Sequence, residues 1–262
     1  MRYGVISDVH ANLHALDATL GFLDRHGVDG YLCAGDLVGY GPSPNECVER
    51  IAALGASCVA GNHDLVALGA LPLDDCAPLA ADSLAWTQTE LSDAARAYLA
   101  RLPALVDVGD GVVMVHATLD DPRPYLLTAA QIARELARLE GSRPGARALV
   151  SGHTHLARAF GARAGTIPFV EGDPVDLARG APVSLNPGSV GQARERAPWA
   201  RCALLDAERL EATFFALDYD VEGCRRELVR KGRPPTSCHA PPPGVVARGA
   251  RKLVRVVRSG DG

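Results

Sequence analysis

Short apolar runs, three to five residues long and each cut off by a polar cluster, recur along this chain and alternate with stretches of helical periodicity. Residues 3–7 form the first run and break at Asp8-Val9-His10, after which Leu13, Leu16, Leu20 and Leu23 fall on one helical face up to Gly27. Residues 31–34 repeat the arrangement and end at Gly35-Asp36. Ser43-Pro44-Asn45-Glu46 then reads as a capping box with proline at the first helical position, opening a helix that closes at Gly55. Residues 57–60 are the third run, stopped by Gly61-Asn62-His63-Asp64. Three strand–helix units in succession predict an α/β fold with a parallel, helix-covered sheet and right-handed crossovers. Ligands of such sheets bind beyond the carboxyl ends of the strands.

Residues 65–103 carry no strand signal, and Trp86, Leu91, Tyr98, Leu99 and Leu102 among good helix formers predict a helical insertion beside the site. Runs at 112–115, 148–150 and 183–185 resume the strands and end at His116, at Gly152-His153-Thr154-His155 and at Asn186-Pro187-Gly188-Ser189. Thr128 with Gln131 caps a helix whose Ile132, Leu136 and Leu139 face inward. Residues 160–182, rich in Gly, Pro and Asp, are expected to form a hairpin or lid, and 201–205 with 210–217 a β-hairpin. One domain over 1–230 is expected, followed by a Pro-rich basic tail over 231–262 that carries Arg248, Arg251, Lys252, Arg255 and Arg258 and reads as mobile.

Charge and cysteine usage narrow the classes. Lys+Arg number 27 against 31 Asp+Glu over 262 residues, a net charge of −4, so no overall cationic excess favours nucleic acid or membrane surfaces. The seven cysteines are odd in number and scattered without a CxxC pair, which reads as reduced thiols. With no stretch near the ~18 apolar residues of a membrane span, a cytoplasmic protein without membrane association is expected.

The polar clusters carry the chemistry. Asp8, His10, Asp36, Asn62, His116, His153 and His155 all lie at or just beyond strand ends. Seven oxygen and nitrogen donors exceed one tetrahedral zinc. They suit two borderline divalent ions, manganese, iron or zinc, sharing a carboxylate about 3.5–4 Å apart. In Asp8-x-His10 and His153-x-His155, alternate residues of an extended chain would point the same way. His63 offers a ring of the type that ordinarily titrates near neutrality, and Asp64 is a carboxylate able to hold that ring in one tautomer. His14, His26 and His239 lie away from strand ends and read as structural, while Ser189 lacks a GxSxG elbow and reads as part of a supporting turn.

The ordered set DVH, GDLVGYG, GNHD, VHA and GHTH, spread over residues 2–217, resembles the calcineurin-like metallophosphoesterase family. The resemblance implies that family's fold, a helix-covered β-sandwich with a binuclear metal site at the strand C-terminal ends. It also implies that Asp8, His10, Asp36 and His155 hold one ion and Asp36, Asn62, His116 and His153 the other, with Asp36 as the bridge. Manganese is the first choice, with iron, zinc, nickel or cobalt as alternatives. His63 matches the catalytic histidine, Asp64 the residue that orients it, and Arg194 the substrate-binding arginine after a closing motif over 186–192. The activity implied is hydrolysis of a small phosphodiester, or of a phosphomonoester or nucleotide, by a hydroxide bridging the ions. A nuclease, a protein phosphatase and a silent scaffold are the alternatives. The complete donor set argues against the scaffold, and the tail is the one cationic cluster that a nuclease could use. A diester is favoured over a monoester because the loops 8–12, 36–42 and 62–65 contain no Arg or Lys, which leaves Arg194 and Arg123 as the nearby cations.

Overall fold

The structure is a computed structural model describing residues 1–241. The basic residues expected in the tail, Arg248, Arg251, Lys252, Arg255 and Arg258, lie outside the described residues. The first half runs β1 (Arg2–Ile6), α1 (Leu13–Arg25), β2 (Gly30–Cys33), α2 (Pro44–Ala53), β3 (Ser57–Cys58), α3 (Asn62–Ala67), α4 (Pro78–Glu90) and α5 (Asp93–Leu99). The second half runs β4 (Leu105–Gly109), β5 (Val112–Val115), α6 (Ala129–Ser142), β6 (Ala148–Val150), β7 (Arg158–Gly161), β8 (Gly165–Ile167), β9 (Pro174–Asp176), β10 (Val183–Asn186), β11 (Ala200–Asp206), β12 (Glu211–Leu217) and α7 (Val221–Arg230).

Two six-stranded sheets result, ordered β3-β2-β1-β11-β12-β9 and β4-β5-β6-β10-β7-β8. Each contains three parallel strands in a row: β1 pairs β2 and β2 pairs the edge strand β3 at one end of the first sheet, and β6 pairs both β5 and β10 inside the second. Alternation along the strands explains the layers, since successive side chains point to opposite faces. In β5, Val112 and Met114 enter the core between the sheets, while Val113 and Val115 meet Ile132, Leu136 and Leu139 of α6. In β1, Val5 faces Phe214 and the other sheet's apolar face, whereas Ile6 joins Leu16, Leu23 and Ile51 of the helices outside. The molecule is thus a β-sandwich with helices on both outer faces.

Several local expectations are corrected. The segment 57–60 pairs as a strand only over Ser57–Cys58, because the Ala60 N–H turns away to donate to the Pro103 carbonyl at 2.9 Å. Ser43 and Glu46 form no capping box; the Ser43 hydroxyl instead donates to Glu227 Oε1 at 3.2 Å, so α2 begins at Pro44 without a side-chain cap. The box of Thr128 and Gln131 does form. The 160–182 region is a β7–β8 hairpin followed by β9, which leaves for the other sheet and pairs with β12. The insertion is helical, with Leu84, Leu91 and Leu99 buried.

The chain after Arg230 returns to the domain. Lys231 Nζ donates to the Pro42 carbonyl at 2.7 Å, Arg233 pairs with Asp82, and Cys238 is buried against Cys224 and Leu228. His239 bridges Ala193, and the Ala240 N–H donates to the Ala193 carbonyl at 2.9 Å. The segment 231–241 is therefore a strap on the domain, and the boundary drawn at 230 moves past it. All seven cysteines are free. Among the described residues no helix is long and apolar enough to cross a membrane.

Candidate metal centre and active site

The parallel strands of both sheets end along one edge. β1, β2 and β3 deliver Asp8 and His10, Asp36, and Asn62 with His63; β5, β6 and β10 deliver His116, His153 with His155, and Asn186. Left-handed backbone sets their aim: φ is 53° at Asp8, 48° at His10, 56° at Asp36, 64° at His153 and 61° at His155. Strand alternation therefore does not bring Asp8 beside His10, nor His153 beside His155; paired turns do. Such conformations cost about 1–3 kcal/mol each and persist only where surroundings impose them. Here the Asp8, His10 and Ala11 N–H groups donate to the Gly35, Asp36 and Leu37 carbonyls at 2.8–2.9 Å, clamping one loop on the next. Gly61 and Gly152 permit the close approach, since a Cβ at either would strike the carboxylate of Asp36 or the hydroxyl of Ser7.

The seven expected donors come together, all of them buried except Asn62, which is partly so. Donor atoms of Asp8, His10 and His155 lie within 4.8 Å of one another, as do those of Asp36, His116 and His153 and those of His10, Asp36 and His63. Asp36 spans the groups: its Oδ2 is 3.7 Å from His10 Nε2 and 3.4 Å from His116 Nε2, while Oδ1 accepts the His63 N–H at 2.8 Å. Asn62 Oδ1 is 3.1 Å from His116 Nε2, and Asp8 Oδ1 is 3.3 Å from His155 Nε2.

Each of four imidazoles spends one ring nitrogen on a main-chain carbonyl. The Nδ1–H of His10, His116 and His155 donates to Val38, Ala34 and Gln192 at 3.1, 2.7 and 2.6 Å, and the Nε2–H of His153 donates to Arg123 at 2.7 Å. Carbonyls only accept, so in the neutral rings these bonds assign the tautomers and leave a lone pair on the other nitrogen, which at His116 becomes available when the ring gives up its second proton. His10 Nε2 and His155 Nε2 then face each other at 3.1 Å as two acceptors beside Asp8. Two lone pairs and a carboxylate converging this closely fit a divalent cation, and nitrogen with carboxylate donors suits manganese, iron or zinc.

Electrostatics follows from the same packing. Burial alone would raise Asp36, but the imidazoles of His116 and His63 outweigh it and hold the carboxyl well below its usual range; Asp8 is held low likewise, chiefly by His155. Burial would lower His116, yet Asp36 beside it raises the ring to about 10. Burial depresses His63 and His153 to about 4, His116 adding to the effect on both, and it depresses His10 with help from His63 and His155.

Asp64 does not orient His63. Its Oδ2 accepts the N–H groups of Asp36 and Gly61, each at 2.9 Å, and its Oδ1 those of Leu37 and Val38 at 2.8 and 3.3 Å. The carboxylate is saturated by backbone and ties the Asp36 loop to the start of α3. His63 Nδ1 is a buried atom without a hydrogen-bond partner, and its ring sits 4.7 Å from that of His10 and 4.9 Å from that of Tyr40.

Arg194 lies at the rim, with Nε on Gln192 Oε1 at 3.2 Å, Nη1 3.4 Å from the Tyr125 hydroxyl, and its guanidinium 5.7 Å from the Tyr125 ring centre. Tyr125 in turn stacks on His153 at 4.0 Å. Nothing in the sequence singles out Tyr125 or the Gln192 carbonyl; their neighbours on the cluster are 28 and 37 residues away in the chain. Ser189 supports the turn, its hydroxyl donating to the Asp8 carbonyl at 2.9 Å and accepting the Gln192 N–H at 2.9 Å. His14 pairs with Glu227 at 3.2 Å, His26 bonds the Phe22 carbonyl at 2.9 Å, and His239 bonds the Glu195 carbonyl at 2.9 Å, all outside the cluster.

Comparison with known proteins places this geometry. Residues 1–209 match the family model of the calcineurin-like phosphoesterase superfamily domain. The crystal structure of a metallophosphoesterase from Sphaerobacter thermophilus superposes with a TM-score of 0.78 at 32% identity, covering 91% of this chain and 96% of that one. The fold is shared by a hypothetical protein from Pyrococcus horikoshii OT3, with a TM-score of 0.75 at 19% identity over 90% of this chain and 96% of that one. An uncharacterized protein of Methanocaldococcus jannaschii is 29% identical over 233 residues, 88% of this chain and 93% of the relative.

Proposed function

This chain belongs to the calcineurin-like phosphoesterase superfamily, and from that premise we propose that it is a metal-dependent phosphodiesterase with two divalent ions at the sheet edge. Asp8, His10 and His155 would hold one ion and Asn62, His116 and His153 the other, with Asp36 shared. The observation that carries the reading is the set of four imidazoles, each tied by one nitrogen to a backbone carbonyl and turning the other toward Asp8 and Asp36. When bound, such ions supply positive charge for the phosphoryl oxygens and lower the pKa of an attacking water.

The chain's own residues do the rest. Asp64 and the left-handed turns hold the donors rigid, so little reorganisation accompanies reaction. His63, neutral and lining the cavity beside the cluster, can give a ring N–H to the leaving oxygen. Arg194 offers one cation at the rim, whereas Arg123 is already bound by both Nε and Nη2 to Asp121 at 3.0 Å. With so little protein charge, a monoanionic diester is better matched than a dianionic monoester. Reloading metal-stripped protein with manganese and comparing kcat/KM for bis(p-nitrophenyl) phosphate and p-nitrophenyl phosphate tests this. Diester preference is expected; monoester preference contradicts it.

A further inference from the structure

Beside the cluster lies a cavity of about 460 Å³, a volume typical of small-ligand sites. Asn62, His63 and His153 reach it from the metal side, and Val66, Leu71 and Ala77 face it from the helical insertion. Tyr40 and Tyr125 also line it. One face of Tyr125 is covered by His153 at 4.0 Å and 23°, and the residue remains 42% exposed.

Charge on these walls has a definite sign. Arg123 is the cationic side chain of the lining, and it is held by Asp121 at 3.0 Å and lies 3.8 Å from Asp75 Oδ2. One guanidinium against two carboxylates leaves the walls net negative. A phosphoryl group seated at the cluster would have this space beside it for an organic substituent. A second phosphate there would meet Asp75 and Asp121, and the cation of the lining, Arg123, is already held by Asp121, so like charges would be brought together. An uncharged planar group would gain apolar burial and ring stacking.

We propose that this cavity takes the uncharged, planar organic group of a single-phosphate ester, an aryl or nucleoside substituent laid against Tyr125, and that Asp75 and Asp121 exclude a second phosphate. The proposal rests on the phosphodiesterase reading and adds the class of substrate to it. It is tested on the metal-loaded full chain by calorimetry, with methylphosphonate, phenylphosphonate and thymidine 5′-monophosphate as probes, beside turnover of bis(p-nitrophenyl) phosphate. Phenylphosphonate and thymidine 5′-monophosphate should bind about tenfold more tightly than methylphosphonate. Ala77→Trp, at an exposed position of the wall, should cut that advantage below about threefold by filling the space. Asp75→Lys, where the side chain is 63% exposed, should improve binding of thymidine 5′-diphosphate relative to thymidine 5′-monophosphate about tenfold. Three probes bound equally, with no effect of Ala77→Trp, would overturn the proposal and leave the phosphodiesterase reading standing. Wild-type protein binding the diphosphate as tightly as the monophosphate would overturn it too. No turnover of bis(p-nitrophenyl) phosphate would remove the reading beneath it, and the proposal with it.

Discussion

At the floor of the site, four imidazoles are fixed by main-chain carbonyls and a carboxylate, Asp64, is saturated by main-chain N–H groups. At the rim, Arg194 leans on Tyr125, 69 residues away, and Arg123 on Asp121, through contacts between side chains. The floor is therefore as rigid as the two sheets beneath it, while the rim is only as fixed as the loops that carry it. Substitutions in the floor should abolish metal binding or chemistry outright. Substitutions in the rim should alter affinity and choice of substrate.

The largest effect is expected from Asp36→Ala, which removes the carboxylate between His10 and His116. Activity should vanish, and the stabilisation gained from metal, about 2.7 kcal/mol at a hundredfold excess over Kd, should vanish with it in thermal melts. Retained metal in this variant would contradict the assignment. His63→Ala should come next, with metals kept and kcat lower by about 10²- to 10⁴-fold, less for activated aryl leaving groups than for alkyl ones. Metal loss in that variant would make His63 a ligand, a role its distance to His10 and Asp36 permits.

Rim effects should be smaller and of another kind. Arg194→Ala should raise KM with kcat little changed, by about 10- to 100-fold if the guanidinium contributes ~1.5–3 kcal/mol of charged hydrogen bonding. An equal fall in kcat would move Arg194 to the floor. Truncation after Arg230 removes the strap, uncovers Leu228 and Cys224 and frees the loop carrying Arg194. It should cost about 2–3 kcal/mol of stability, read by urea unfolding, together with a higher KM. An unchanged unfolding midpoint would mean that the strap holds nothing.

The smallest effect concerns acid. In metal-free protein, His63 and His153 sit near 4 against 6.5 for an ordinary ring, so their contribution to stability is full above pH 6.5 and is lost as pH falls toward 4. His116, raised to about 10, contributes fully below pH 6.5 and loses its contribution as pH rises through 10. Metal-free stability should therefore peak near pH 6.5, a maximum that urea midpoints from pH 5 to 9 would show and a steady rise to pH 9 would contradict.

What the sequence made legible follows the same division. Asp8, Asp36, His116 and the other floor residues announce themselves because apolar strand runs stop at them, and strand ends of parallel sheets converge. The turn geometry was not legible: alternation in an extended strand and five left-handed donors put the same residues together by different routes, and only coordinates distinguish them. Asp64 beside His63 in sequence suggested an orienting pair, but a carboxylate with four nearby N–H groups spends its lone pairs on backbone. β4 escaped notice because it is a half-exposed edge strand with an irregular register at Asp107 and Gly109, neither a continuous apolar run nor a clean alternation. α7 escaped because only Gly223, Cys224 and Leu228 of its ten residues are buried, too narrow a stripe to stand out among charges. The strap and Tyr125 depend on contacts far apart in the chain, which local pattern does not encode.

The binuclear floor is the claim on which the rest depends, and metal content tests it most directly. Protein stripped with chelator, reloaded with manganese and freed of excess ion should carry two ions per chain by elemental analysis, and Asp36→Ala fewer. A reproducible single ion at saturation in the wild-type protein would contradict it.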